Sequence, residues 1–367
     1  MNTKRIIARI SRTLLAVTFV FSGFVKAIDP LGTVYKIEDY LKAFGGFFTD
    51  LLPLAEFAAV ALITVEFTLG VMMLFNIRTN WTSWLSLAFY LVMTPLTLWI
   101  ALTNPVSDCG CFGDAIVLTN WQTFWKNIVL LSLVIALLCT KHTLRHSLSN
   151  REELCISLAA VAFVLVWMEV TYHHLPAIDF RPYKIGNNIP TLMEIPEDAE
   201  HDVYRTTLIY ANEAGEEHEF TLENYPKGDP AWTFVDQKSV LVKKGYEAPI
   251  HDFEIMTMEF DDITYDILES EEPVALVILY DLAKTDRKQM DKLAAIIHER
   301  PNVYFLTGSG EEAIVAFAQE LGWDEETTYS VFCYTDPVTL KTIVRANPGL
   351  IVVQNGTIIE KHNMRNL

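Results

Sequence analysis

The 367-residue sequence predicts a membrane all-α bundle of five transmembrane helices followed by an α/β domain, with a small β-rich insert between them. Three observations predict this. Five apolar runs, each about as long as a hydrocarbon core requires, fall within the first 172 residues. Charge divides sharply along the chain: residues 1–171 hold 12 Lys/Arg against 11 Asp/Glu, residues 172–367 hold 16 against 35, and the whole nets −18. Strand and helix patterns then alternate from about residue 249 to the end, which argues for an α/β sheet.

The apolar runs cover roughly residues 8–27, 52–75, 82–103, 121–140 and 154–172. The first ends at Lys26, Asp29 and Pro30 without a small-residue cleavage pattern, so it reads as a retained helix rather than a signal peptide. Basic residues set the orientation. With the N-terminus inside, Lys4, Arg5, Arg9, Arg12, Arg78, Lys141, Arg145 and Arg151 are cytoplasmic, and Lys26, Lys36, Lys42 and Lys126 lie at the outer side. Five crossings then place the acidic half outside, in the periplasm of a bacterium with this protein in its inner membrane. Between the first two spans, Ile37, Tyr40, Leu41 and Phe44 fall on one helical face, as expected of a segment lying along the interface.

Glu66 falls near the middle of the second span, where a carboxylate costs about 3 kcal/mol and must face protein or water. Glu56 and Lys26 lie at similar depth near the outer surface and are candidates for an ion pair, with Arg12 placed to approach Glu66 from the inner side. These charges either fix helix packing or take a proton or ligand role.

Asn104 to Asp114 joins the third and fourth spans on the outer side and contains Cys109-Gly110-Cys111. Two cysteines one residue apart close only through a tight ring, and a strained, exposed disulfide has a raised reduction potential suited to exchange with a partner. Cys109 and Cys111 are therefore the candidate catalytic pair. An inert turn, closed by a permanent disulfide or holding two free thiols, is the alternative. A metal site would need further ligands, for which only His173 and His174 are near, and no metal is assigned. Cys139 and Cys155 read as small apolar residues, and Cys333 as core.

The runs Phe21-Ser-Gly-Phe-Val-Lys26 with Asp29-Pro30, Glu66-Phe-Thr-Leu-Gly70 and Cys109-Gly-Cys-Phe-Gly113 resemble the DoxX and MauE-like membrane family over roughly residues 5–140, the last run pointing to the MauE side. The resemblance implies a small inner-membrane bundle associated with envelope redox work, with Lys26, Glu66, Cys109 and Cys111 as inherited positions. MauE itself is linked to maturation of a disulfide-rich periplasmic enzyme, methylamine dehydrogenase. Methylamine is not inherited as a substrate.

Beyond the bundle (1–145), the fifth helix and linker (146–186) lead to a β-rich segment (187–248) with strands expected at Val203–Ala211 and His218–Leu222 around Asn212 to Gly215. In the last domain (249–367), strands are expected at 274–280, 303–307 and 329–334, helices at 284–300, 311–321 and 337–345, and a closing hairpin about Gln354-Asn-Gly-Thr357. With Asn347-Pro348-Gly349 before the hairpin, this order resembles thioredoxin-like domains. That resemblance implies a cis-proline at Pro348 beside a partner-docking groove, and a Cys-x-x-Cys whose places are held here by Ala283 and Asp286. The domain is therefore expected to lack dithiol chemistry of its own. His251 beside Asp252 is no dyad, because neighbours on a strand point to opposite faces.

The acidic half excludes a nucleic-acid role, which needs clustered Lys/Arg, and nucleotide and hydrolase motifs are absent. The implied partners are the lipid bilayer and a periplasmic or envelope protein. No cofactor is certain, and a quinone near Glu66 is one candidate acceptor. Thiol–disulfide exchange or maturation of envelope proteins is the leading function. A non-catalytic anchored scaffold, whose thioredoxin-like domain binds a periplasmic partner, is the alternative.

Overall fold

The computed structural model describes every residue except 1, 2, 107, 145–147, 197, 201, 202, 213 and 244. Arg145, counted above on the inner side, and Glu213, in the expected turn, lie outside the described residues. Among the described residues, five helices are long and apolar enough to cross a membrane: α1 (Thr3–Ile28), α3 (Ala55–Leu74), α4 (Thr79–Thr103), α5 (Asn120–Thr140) and α6 (Asn150–His173), while the shorter α2 (Pro30–Phe44) follows α1. Local chemistry sets the starts. Asp29 caps α2 by accepting from the Gly32 amide with Pro30 in the first turn, and reciprocal capping boxes open α5 (Thr119/Gln122) and α6 (Ser149/Glu152).

The bundle buries apolar clusters about Leu15, Phe19, Leu69 and Val134 and about Ile63, Phe67 and Val164, and α4 adds a polar inward face. The interior face of α4 carries Thr82, Ser83, Ser86, Tyr90, Thr94 and Thr97, whereas Leu91, Val92 and Leu102 are exposed. Trp81 and Trp84 begin α4, Trp121 and Trp125 begin α5, and these exposed pairs lie at opposite ends of two consecutive helices, where interfacial belts belong. Helices α1 and α3 approach closely through glycine: a Cβ on Gly23 would lie 2.6 Å from the Phe67 amide nitrogen, and one on Gly70 2.5 Å from that of Val20. Ile37 and Leu41 of α2 pack against Val34, Ala55 and Ala59, so the expected apolar face is used.

After α6 the chain enters the core of the last domain earlier than residue 187. Tyr183 and Ile189 are buried in it, the latter opening α7 (Ile189–Met193), and Lys361 and Arg181 grip Asp179 at 2.6 and 2.8 Å. A three-stranded antiparallel sheet then projects, ordered β2-β1-β3, from β1 (Val203–Asn212), β2 (Glu217–Thr221) and β3 (Trp232–Lys243). Its third strand was not expected.

The last domain is a six-stranded sheet ordered β4-β7-β6-β5-β8-β9. It comprises β4 (Met256–Thr257), β5 (Val274–Leu279), β6 (Val303–Thr307), β7 (Phe332–Tyr334), β8 (Gly349–Gln354) and β9 (Thr357–Asn363). Strands β5, β6 and β7 are parallel, while β8 and β9 form the antiparallel hairpin, turning through Asn355 and Gly356, both at positive φ. Every residue of β5 is buried between two apolar layers, the arrangement that continuous apolar strands require. The helices are α8 (Thr264–Leu268), α9 (Met290–Glu299), α10 (Glu311–Glu320), α11 (Glu325–Val331) and α12 (Pro337–Ile343).

Two expectations shift here. The helix expected from residue 284 starts at Met290, because Asp281 and Asp286 accept backbone amides two residues on and make separate short turns. The strand expected from 329 starts at Phe332, because Asp324 caps a helix through Val331. The Asn347-Pro348 bond is cis.

Candidate functional site

The antiparallel packing of α1 on α3 builds the floor of the site. Lys26 Nζ lies 2.7 Å from Glu66 Oε2 and 3.0 Å from Oε1, with both side chains buried. This corrects the expected Lys26–Glu56 pair. Gly23 faces Phe67, so Lys26 is level with Glu66, and Glu56 lies over two turns further along α3. Glu56 is exposed, near Tyr172. The same register places Arg12 about three turns from Glu66, out of reach. The Ser22 hydroxyl accepts from Lys26 Nζ at 2.9 Å, and its single proton is within reach of Glu66 Oε2 at 2.8 Å and the Cys111 carbonyl oxygen at 2.7 Å. Burying two charges is worthwhile only with such added hydrogen bonds, and here those bonds carry the ion pair directly to the backbone of the cysteine loop.

Helix α2 holds that loop from above. Lys36 Nζ pairs with Asp108 at 2.7 Å, Asp108 accepts from the Gly110 amide at 2.7 Å, and the Tyr40 hydroxyl donates to the Cys109 carbonyl at 2.6 Å. Gly110 has φ +64°, and a Cβ there would sit 3.1 Å from Lys36 Cγ, so both backbone sign and space call for glycine. The clamp turns the two sulfurs toward each other, 3.1 Å apart. At that separation one thiol donates to its neighbour. Cys111 is lowered from the usual thiol range by the hydrogen bond from Cys109, and against the cost of burial the Lys126 and Lys26 ammonium groups add to the effect, with Glu66 opposing. Cys109 is raised by that same hydrogen bond and by burial. Lys126 is further placed by the Phe112 ring, 4.4 Å from its centroid.

The other cysteines are elsewhere: Cys139 and Cys155 are exposed on α5 and α6, and Cys333 is buried on β7 with its thiol pushed up to about 12 by burial. Among the described residues no group of His, Cys, Asp and Glu could hold a metal. His173 and His174 instead bond Arg365 and Asn366 of the last domain.

The last domain roofs the site. Arg345, between α12 and Pro348, bonds Asp29 at 2.8 Å and reaches Asp114 at 3.5 Å, and the Tyr280 hydroxyl lies 3.4 Å from that of Tyr35 on α2. Burial would raise the Asp29 carboxyl, but the Arg345 and Arg181 guanidiniums outweigh it and hold the carboxyl below its ordinary range. Pro348 itself is buried. Between roof and bundle runs a crevice of about 280 Å³ whose wall includes Cys109 but not Cys111. A second cavity of about 150 Å³, inside the bundle, is lined by both cysteines and by Glu66. Sequence reasoning missed Ser22, Tyr40, Lys126 and Arg345. Tyr40 and Lys126 enter there only for helix face and orientation, and the partners of Tyr40 and Arg345, 69 and 316 residues away, leave no local signal.

Residues 4–140 match the family model described as Methylamine utilisation protein MauE, and residues 204–244 match one described as Domain of unknown function (DUF8463). No curated protein and no solved structure matches the chain. The first match spans α1 to α5 with the ion pair and the cysteine loop, and the second coincides with the projecting sheet. Over residues 4–140 the chain is similar to the MauE family, and with five apolar helices it is a multi-pass membrane protein.

Proposed function

We propose that the protein exchanges disulfides with envelope proteins at the outer face of a bacterial inner membrane, through Cys109 and Cys111. The observation that carries this reading is the clamped pair itself: two sulfurs 3.1 Å apart, differently poised, with Cys109 in the wall of the outer crevice. In the bonded form, a client thiolate attacks Cys109 Sγ, the Cys109–Cys111 bond breaks, and Cys111 leaves as the thiolate, the better leaving group of the two. A second client thiolate then attacks the client sulfur of the mixed disulfide. The client disulfide forms, and Cys109 leaves and takes up a proton. The N-terminus is cytoplasmic and the last domain periplasmic in this reading, in keeping with Arg5, Arg9 and Arg12 at the end remote from the cysteine loop.

The last domain is thioredoxin-like in this reading. Three parallel strands, a terminal antiparallel hairpin and a cis-proline before it support the assignment. Ala283 and Asp286 supply no thiol, and the side bearing Tyr280 and Arg345 is occupied by the bundle, so its role is to cap the site. Trapping tests the proposal. Cys111→Ser in membranes captures envelope proteins as mixed disulfides through Cys109, and Cys109→Ser does not; capture by neither variant refutes the exchange role.

The second reading, a non-catalytic scaffold, is favoured by the projecting sheet, whose exposed Tyr204 and Phe234 share one face and offer apolar surface to a periplasmic partner. It predicts that both cysteine variants complement a deletion while removal of residues 203–243 does not.

A further inference from the structure

An exchange site that oxidises its clients must pass on two electrons and two protons for each disulfide made, and the bundle contains a place for the acceptor. The interior cavity touches both cysteines and lies among the spans, walled by Phe89, Met93 and Leu96 of α4, with Tyr90 and Lys126 at its polar edge. The outer crevice touches Cys109 alone of the two. The two spaces meet at Cys109, which both touch, and of the two only the bundle cavity, mostly apolar apart from the Lys26–Glu66 pair and Lys126, also reaches Cys111. We propose that the interior cavity binds the head group of a membrane quinone, which accepts electrons from the Cys109–Cys111 dithiol; this rests on the exchange reading above.

The chemistry of the wall selects that ligand class. A lipid-soluble carrier enters from the bilayer, so it must be apolar. A planar ring is accommodated by the aromatic side chains, since offset and edge contacts with such rings are favourable. Its carbonyl oxygens need donors or cations, and the Lys126 ammonium, held over Phe112, stands at the cavity edge. The balance closes: the dithiol loses two electrons and two protons and becomes the disulfide, while the quinone gains both and becomes the quinol. Cys111 lines this cavity and not the crevice, and it is the residue whose thiolate is favoured, so the sulfur released by client exchange is within reach of the acceptor.

The test uses the full chain in lipid nanodiscs, reduced, freed of reductant and kept anaerobic, with a short-chain ubiquinone analogue as probe. Reduced protein should form one quinol for each Cys109–Cys111 disulfide. Met93→Trp, which fills the cavity, should slow quinol formation by about tenfold or more. It should leave exchange with a soluble disulfide within about twofold, since Met93 does not line the crevice. Leu96→Phe fills the space more gently should Met93→Trp fail to fold. The Cys109→Ser/Cys111→Ser protein should still quench its tryptophan fluorescence saturably with the probe yet form no quinol. Absence of quinol from reduced protein that does exchange with a soluble disulfide overturns the quinone assignment alone, as do equal rates in the filled-cavity variants. Absence of both activities overturns the exchange reading beneath it.

Discussion

Two turns in this molecule invite comparison, the Cys109–Cys111 loop on the bundle and the Asp281–Arg287 turn of the last domain. Both are tight, both sit at the junction of the two halves, and a reactive dithiol has a place in each by family resemblance. In the first, thiols stand where Lys126 and a donating neighbour favour a thiolate, and α2 fixes the backbone. In the second, two aspartates hold separate short turns, and the helix that would favour a thiolate begins only at Met290. What makes a thiol reactive is its electrostatic setting, and the bundle supplies such a setting where the turn of the last domain does not.

Four changes would break or sharpen that contrast. The largest effect comes from moving the thiols. Cys109→Ser or Cys111→Ser should abolish completed exchange, and adding Ala283→Cys with Asp286→Cys to the doubly substituted protein should not restore it, measured by oxidation of a reduced model substrate. Recovery of activity would show that the second turn needs only sulfur. Next, Glu66→Gln leaves the Lys26 ammonium buried without its partner and should cost about 3–5 kcal/mol, read by thermal unfolding in detergent. Combining it with Lys26→Met should return most of that loss, as expected when an apolar pair replaces a buried ion pair.

A smaller effect is expected at the clamp between halves. Arg345→Met leaves Asp29 without its main partner and should cost about 1–3 kcal/mol of docking, detected as faster proteolysis near residues 174–182 or faster alkylation of Cys109. Acid should mimic it. The Asp29 carboxyl is lowered in the folded protein, so its contribution is present above the unfolded carboxylate pKa of about 3.9 and is lost as pH falls through the lower folded value. Docking that is unchanged at pH 3 would contradict this. The smallest effect should come from Tyr35→Phe, which removes one interdomain hydroxyl contact at 3.4 Å and should shift stability by about 0.5–1 kcal/mol.

Much of the architecture is legible in the sequence because hydropathy and turn chemistry are local. The five spans, the apolar face of α2 and the Asn355-Gly356 hairpin all follow from short windows. Strand β3 escaped notice because Phe234, Val235, Val240 and Val242 are exposed among charged neighbours, a pattern that gives no clear buried face. The ion pair was assigned to the wrong glutamate for a different reason. Depth along a span is readable, but the register of α1 on α3 depends on where Gly23 and Gly70 let two backbones meet. The roof over the cysteines, Arg345 on Asp29 across 316 positions, is purely tertiary.

The central claim is that Cys109 and Cys111 form a working dithiol. Its most direct measurement is alkylation with a mass-adding maleimide after acid quenching of intact cells, with the Cys111→Ser variant alongside. The account predicts that the pair is protected from alkylation at rest, becomes reactive on brief reduction and regains protection when the reductant is removed, while Cys111→Ser accumulates Cys109-linked adducts with envelope proteins. Thiols that stay alkylated before and after reduction, or a bond that survives every reductant, with no adduct in the variant, would contradict it.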